Sequence, residues 1–415
     1  MENINVKRSI IAIDLKSFFA ACECIERKLD MFTTPLIVCS NNKGAMTLAV
    51  TPYLKKFGIN GRTRIYDLPK NIKYLKVPPR MGLYHKKSNE VIKVYEEFIS
   101  SEDMHIYSID EVFLDVTNYL SLYKKTPYEL ALFLLEKVKE KTGLIATAGI
   151  GPNIILAKVA MDLDAKNNKN NIALWSFKDI KTKLWKIEPL SKMWGIGFRM
   201  EKNLNSLGIF SIKDLACFNK NILKEKYGVL GLELWNHANG IDLTTIIDLN
   251  KEPKNKSISH GQVLFKDYNE KNITLIIRET IDLLTKKLRE TKKRTSSVCL
   301  SIKYSKNIGG GFSKRVKLDN LTKDSKDIYL VCMNIFDKYY EYLPIRQITI
   351  QLGGLIDDIG QQLSLFETYE EITTVNKTNQ AIDFIKTKYG PNSILKASSL
   401  LDDSTIISRN IKNGY

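Results

Sequence analysis

The chain has 415 residues, with 63 Lys or Arg against 46 Asp or Glu for a formal net charge of +17. That length is too great for one ordinary core and implies roughly three domains, while 44% hydrophobic and 26% charged residues exclude both a disordered chain and a single small module. The basic excess favours a polyanionic partner, nucleic acid or an acidic membrane face, over an acidic protein substrate.

The first residues, MENINVKRSIIAID, lack the apolar run of a signal peptide. No stretch approaches the roughly 18 consecutive apolar residues of a membrane span, so a cytoplasmic chain with no membrane partner is expected. The six cysteines, Cys22, Cys24, Cys39, Cys217, Cys299 and Cys332, form no CxxC pair and have no histidines at ligand spacing. Small buried thiols are expected there, rather than disulfides or structural zinc.

Residues 9–14, SIIAID, are an apolar run closed by a carboxylate and read as a buried strand; FFAACECIERKL after it has helical spacing. PLIVC (35–39) and MTLAV (46–50) read as strands, and MHIYSIDEVFLDVT (104–117) alternates as an antiparallel hairpin with Asp110 and Glu111 near its turn. A helix over 127–142, a strand at 146–150 and a helix over 153–167 complete a mixed α/β domain, 1–185. From 186 to 248, short helices broken by Gly195, Gly197 and Gly208 are expected. Residues 249–258 read as a polar linker. A third domain, 259–357, has strands near 259–265, 296–304, 312–318 and 345–355 and helices near 270–291 and 325–342. The tail, 358–415, holds one helix-like stretch, TNQAIDFIKTKYG, and a polar end.

Residues 251–320 contain 17 Lys or Arg against 7 Asp or Glu, so +10 of the net +17 falls in one sixth of the length. Concentration on one small domain fits contact with a phosphate backbone better than a general solvated surface.

If the first strand lies beside the hairpin, Asp14, Asp110 and Glu111 converge. Without a cation three packed carboxylates repel one another, and at least one pKa rises. With two Mg²⁺ ions held by carboxylates and substrate phosphates, the same cluster suits in-line phosphoryl or nucleotidyl transfer. Unrelated surface acids at strand ends are the alternative at this level.

IAIDLKSFFA, YSIDEVFLD, GIGPNIILAKVAMD and MWGIGFRMEKNLNSLGI occur in the order and spacing of the Y-family translesion DNA polymerases, and the chain resembles the bacterial UmuC-like branch over about residues 8–366. The resemblance implies a multidomain α/β (α+β) right hand: palm and fingers, helix-hairpin-helix thumb, basic little finger. It implies that Asp14, Asp110 and Glu111, with the backbone carbonyl of Leu15, hold two Mg²⁺. It puts Phe19 at the steric gate, where a ring under the sugar excludes a ribose 2′ hydroxyl; Phe18 beside it is open to either a packing or a nucleotide role. Lys158 matches the triphosphate-binding lysine. In TPYLKKFGI, Pro52 stands where tyrosine is frequent and Lys55 where arginine is usual, so Lys55 is the candidate triphosphate contact but lacks the bidentate fork.

The WGIG turn offers the backbone N–H groups of Gly195, Gly197 and Phe198 to a DNA phosphate. Ser257 and the run containing Lys314 and Arg315 are template-contact candidates in the little finger. Gln362-Leu363-Ser364-Leu365-Phe366 resembles the peptide by which bacterial polymerases bind the sliding clamp. The implied activity is error-prone, DNA-directed DNA synthesis on primer-template DNA from deoxynucleoside triphosphates, by a monomeric core in the bacterial cytoplasm at the nucleoid. Too few residues lie outside the domains for a proofreading exonuclease. Two rivals are a catalytically idle DNA- and clamp-binding modulator, against which the intact acids argue, and a palm-like nucleotide cyclase, which the thumb-like module and basic domain disfavour.

Overall fold

The computed structural model describes residues 8–40, 44–253, 256–358 and 369–412, the side chains of 369–376, 411 and 412 excepted. The chain divides into two compact units, Met1–Lys251 and Glu252–Tyr415. The first begins with strand β1 (Ile10–Leu15) and helix α1 (Phe18–Glu26). A small subdomain follows, with β2 (Leu36–Val38), β3 (Ala49–Val50), α2 (Pro52–Lys55) and β4 (Leu75–Val77), in the sheet order β3-β2-β4. Then come α3 (Met81–Glu96), β5 (Met104–Ile106), β6 (Glu111–Asp115), α4 (Tyr119–Tyr123), α5 (Pro127–Thr142), β7 (Ala146–Gly151), α6 (Ile154–Leu163) and β8 (Ile172–Leu174). The main sheet has the order β5-β6-β1-β7-β8, with β1 antiparallel to both neighbours.

Helices cover both faces of β1, which is why it reads as an unbroken apolar run. Ile11, Ile13 and Leu15 enter the core shared with α1, α3 and α5, whereas Ile10 and Ala12 pack with Phe113, Ile154, Ala157 and Met161 toward α6. Strand alternation therefore turns Asp14 to the α6 side. Helix α5 occupies the expected 127–142 because its ends are written locally: a Thr126/Glu129 capping box with Pro127 in the first turn, and Gly143 at φ 72° after the last. The close approach of α6 depends on Gly149, where a Cβ would lie 2.1 Å from the Ala157 carbonyl oxygen and 2.3 Å from the Met161 nitrogen.

The boundary expected at 185 is no break in the packing. Helices α7 (Asp179–Thr182), α8 (Phe198–Asn205), α9 (Ile212–Cys217), α10 (Lys220–Tyr227) and α11 (Val229–Ala238) share one core with Ile155, Leu156 and Trp175. Helix α12 (Ile246–Asn250) returns to the main sheet, where Asn250 Nδ2 donates to the Met104 carbonyl at 2.9 Å. Residues 249 and 250, assigned from sequence to the linker, thus belong to this unit, because Asn250 is bonded to β5 and Leu249 packs beside Ile10 and Phe113.

The second unit contains β9 (Ser257–Tyr268), α13 (Glu270–Glu290), β10 (Lys293–Tyr304), β11 (Gly311–Thr322), α14 (Ser325–Tyr339), β12 (Ile345–Gly353) and β13 (Ile356–Asp357). Its sheet has the order β11-β10-β12-β9. Val298, Leu300, Ile302, Ile348, Ile350 and Leu352 pack against α13 and α14, leaving the alternate positions on the opposite face. The tail, unassigned from sequence beyond one helix, packs on α13 through α15 (Tyr369–Tyr389) and the segment before α16 (Ile406–Lys412). Arg289 forms two hydrogen bonds to Asp383, at 2.7 and 3.0 Å, and the buried Glu279 accepts from Ser404 Oγ at 2.6 Å and Thr405 Oγ1 at 3.0 Å.

Gly149→Ala should therefore destabilise the first unit by about 3 kcal/mol, since the added methyl meets backbone rather than a movable side chain. A denaturant titration monitored by tryptophan fluorescence checks this; an unchanged midpoint would contradict the close approach.

Candidate active site

Asp14 closes β1 and faces Glu111, the first residue of β6, in direct antiparallel register. Leu15 N donates to the Asp110 carbonyl at 2.9 Å, fixing the β5-β6 turn against the strand end. The three acids and Leu15 are therefore neighbours, as the sequence reading expected. Ser108 Oγ donates to Asp110 Oδ1 at 2.7 Å and holds that carboxylate at the turn. At Ser17, φ 51° turns the chain sharply from β1 into α1, so Phe18 and Phe19 follow directly on the acids.

The side chains opposite the acids form a chain of alternating charges. Lys158 Nζ lies 2.7 Å from Glu111 Oε1 and 3.0 Å from Asp162 Oδ2; Lys166 Nζ lies 2.8 Å from Asp162 Oδ1 and 2.7 Å from Asp14 Oδ2. Lys158 and Asp162, four positions apart, share one face of α6, and Lys166, four positions further, follows in the turn just past the end of that helix. Asp162 and Lys166 were missed from sequence, although that four-residue spacing was visible.

The electrostatics follow from burial. Desolvation pushes the Asp14 carboxyl above its ordinary pKa against the pull of Lys166, with Asp110 adding repulsion. Glu111 is raised likewise, by burial and by repulsion from Asp14 and Asp162, opposed by Lys158. Lys55, at the end of α2, is lowered by desolvation and by Lys166 and Lys16, while Asp14 pulls the other way. Lys55 thus lies within electrostatic reach of Asp14.

A hard divalent cation suits this donor set of carboxylate and backbone oxygens. Glu111 Oε1 is buried, with the Lys158 ammonium as its close cationic partner at 2.7 Å among the described residues, and the raised carboxylates mark an excess of negative charge. Among the described residues no three acids form a ready-made cage, because the carboxylates of Asp14 and Glu111 are turned to the lysines.

The other expected residues are distributed as follows. Phe18 is 3% exposed and belongs to the core, so its ring packs rather than facing a nucleotide; Phe19 is half-buried at the edge of that core. Lys158 is buried between two carboxylates. Gly195 has φ 89°, which favours glycine, whereas Gly197, at φ −86°, is the N-cap of α8 and has no side chain to satisfy the first-turn N–H groups. Phe198 beside it is 77% exposed.

In the second unit, Ser257 Oγ accepts from Gln351 Nε2 at 2.9 Å, and Gln351 Oε1 accepts from Arg315 Nη2 at 2.8 Å, all on the sheet face opposite the helices. Lys314, expected beside Arg315, projects to the helix side, with its Nζ 4.7 Å from the Tyr339 ring centroid. Adjacent strand residues point to opposite faces, so the two cannot act on one surface. Gln362, Leu363, Leu365 and Phe366 lie outside the described residues.

The fold and the relatives it matches define a DNA-directed DNA polymerase. Residues 13–162 match the model of the impB/mucB/samB family, 178–209 the family's HHH motif and 255–365 its C-terminal domain. The chain belongs to this family of Y-family DNA polymerases. A Bacillus subtilis (strain 168) protein bearing the UV-damage repair name UvrX is 37% identical over 410 residues, 97% of this chain and 96% of that protein. DNA polymerase IV 2 of the same organism is 31% identical over 98% of each chain. Among solved structures, a Y-family DNA polymerase chimera, Dbh-Dpo4(243-245)-Dbh, has a TM-score of 0.69 at 21% identity, covering 84% of this chain and 99% of that one, a likeness of fold.

If Asp14 and Glu111 share a cation, Mn²⁺ should raise the melting temperature of metal-free protein. At ten times the dissociation constant the stabilisation is about 1.4 kcal/mol. Asp14→Asn should flatten that rise in a thermal-shift titration, and a wild-type protein indifferent to Mn²⁺ would contradict the fit.

Proposed function

We propose that the chain is a DNA-directed DNA polymerase of the error-prone, translesion type, extending a primer 3′ end without proofreading. The observation that carries this reading is the meeting of Asp14, Asp110 and Glu111 at one end of the β1/β6 pair. Relatives named DNA polymerase IV, such as that of Clostridium acetobutylicum, 30% identical over 94% of this chain, support it. Two Mg²⁺ ions bound there would supply activation of the primer oxygen and neutralisation of the leaving pyrophosphate.

The chain's own residues orient the reactants. Asp14, Asp110, Glu111 and the Leu15 carbonyl hold the cations, and Phe19 lies under the sugar. Lys55 and Lys166 receive the triphosphate: the Lys166 side chain is 39% exposed beside Asp14, whereas that of Lys158, to which the resemblance assigns this task, is 8% exposed and engaged by Glu111 and Asp162. Lys158 thus serves as a brace for Glu111. The free N–H groups at the start of α8, from Gly197 and Phe198 after the Gly195 turn, suit a DNA phosphate. Ser257 and Arg315, on the open sheet face of the second unit, suit the template backbone.

Asp110→Ala or Glu111→Ala should abolish primer extension while leaving primer-template affinity within severalfold, because the change removes cation ligands and not the phosphate-tracking surface. Primer-extension and filter-binding assays on the same preparations test this; extension retained above a few per cent would overturn the assignment.

Residues 362–366 dock on the sliding clamp, with Leu365 and Phe366 as apolar anchors and Gln362 at the groove edge. Changing both anchors to alanine should cost about 2 kcal/mol or more in clamp affinity. Basal extension and thermal stability should be unchanged, and only clamp-stimulated product length should fall. Equal loss with and without clamp would instead mean that the segment packs on its own domain.

A further inference from the structure

Glu23 has no exposed surface although it is charged and lies on α1, four residues and one helical turn after Phe19. Its carboxylate is fully engaged. Arg80 donates from Nε to Oε1 at 2.9 Å and from Nη2 to Oε2 at 2.6 Å, Tyr84 Oη donates to Oε1 at 2.8 Å, and Arg27 adds a further ion pair. Burial pushes Glu23 upward, but the hydrogen bonds from Arg80, Tyr84 and Arg27 outweigh it and leave the carboxyl below its ordinary pKa. Burial raises Tyr84, which keeps its hydroxyl a donor.

The arrangement leads directly to Phe19. The Tyr84 ring, itself without exposed surface, lies with its centroid 4.7 Å from that of Phe19 at an interplanar angle of 31°. Phe18 closes the third side, at 5.5 Å from Phe19 and 6.5 Å from Tyr84. Arg80 is the N-cap of α3, three residues after β4 ends, where the chain returns from the small β3-β2-β4 subdomain. A single buried carboxylate therefore sets the position of the ring behind Phe19 relative to the helix that carries Phe19. A bidentate arginine fixes that carboxylate in plane and angle, which a point charge does not.

We infer that Glu23 and Arg80 are positioning residues for sugar selection, holding Tyr84 as the backstop that keeps the Phe19 ring against the 2′ position of the incoming nucleotide. The inference rests on the reading of Phe19 as the steric gate. Without the backstop the ring can retreat into the space behind it, and a ribose hydroxyl fits. Deoxynucleotide binding, which needs no such exclusion, is little affected.

The test compares kcat/KM for deoxynucleotide and ribonucleotide incorporation in full-length wild type, Phe19→Ala, Arg80→Lys and Tyr84→Phe, with a melting curve for each. Tyr84→Phe keeps the ring and both charges, so it avoids leaving an uncompensated buried carboxylate. Arg80→Lys keeps the charge and loses the fork. Both should lower the deoxy-to-ribo ratio, Arg80→Lys by about tenfold, through a lower ribonucleotide KM, with deoxynucleotide kcat/KM within about threefold of wild type. A ratio unchanged in both, beside a collapsed ratio in Phe19→Ala, would overturn the inference and leave the gate intact. Parallel loss of both activities at constant ratio would overturn it too, as the mark of a purely structural cluster. An unchanged ratio in Phe19→Ala would remove the gate reading, and this inference with it.

Discussion

The first unit is organised around charges that cannot be left alone inside it. Asp14 and Glu111 sit side by side at the end of a sheet covered by helices, where burial raises both carboxyls. Each is met by a lysine, and Asp162 joins the two lysines into one chain. Breaking such a chain strands a buried charge, which is far more costly than losing an exposed ion pair. The close approach of α6 to β7 at Gly149 is what brings Lys158 to Glu111. The glycine is thus as much part of the site as the carboxylates, although it touches no substrate.

The same lysines explain why the acids do not converge as a preformed cation cage. Two ammonium groups already provide compensation, so a divalent cation entering the site competes with them for the carboxylates. On the proposed function, Lys166, partly exposed at the end of a long side chain, turns to a phosphate when a cation takes over Asp14. Lys158, buried and held from two sides, cannot do so without vacating Glu111. This difference in freedom separates a ligand from a brace among residues of identical chemistry.

Much of this was legible in the sequence, and the exceptions share a cause. Strands, the α5 helix and the acidic trio are written in local signals: apolar runs, a capping box, carboxylates at strand ends. The distinction between Phe18 and Phe19 depends on the left-handed corner at Ser17, which sets the direction in which α1 starts. Glu23 looks like a solvent-facing acid in its helix, since its partner Arg80 lies 57 positions away. Lys314 and Arg315 could have been separated by strand alternation, yet which of them joins the helix side depended on the register with β10. The tail shows one helix-like stretch in the sequence but nothing of where it docks, because its packing on α13 rests on the long-range pairs of Arg289 with Asp383 and Glu279 with Thr405.

Those tail contacts also change what the +10 excess of residues 251–320 means for DNA. Lys266, Arg289, Lys293 and Arg294 are paired with Asp403, Asp383, Asp357 and Asp358, acids that lie outside that stretch. Their charge is spent within the second unit, and a phosphate approaching them would have to displace a carboxylate. Lys303, Arg315 and Lys317 occupy alternate positions on β10 and β11 on the open face, and no carboxylate pairs with them among the described residues. Counterion release scales with phosphates actually neutralised and not with formal charge. The salt dependence of binding contributed by this unit should therefore follow the few cations of the β10-β11 pair, while Lys266 and Arg289 serve to hold the tail in place.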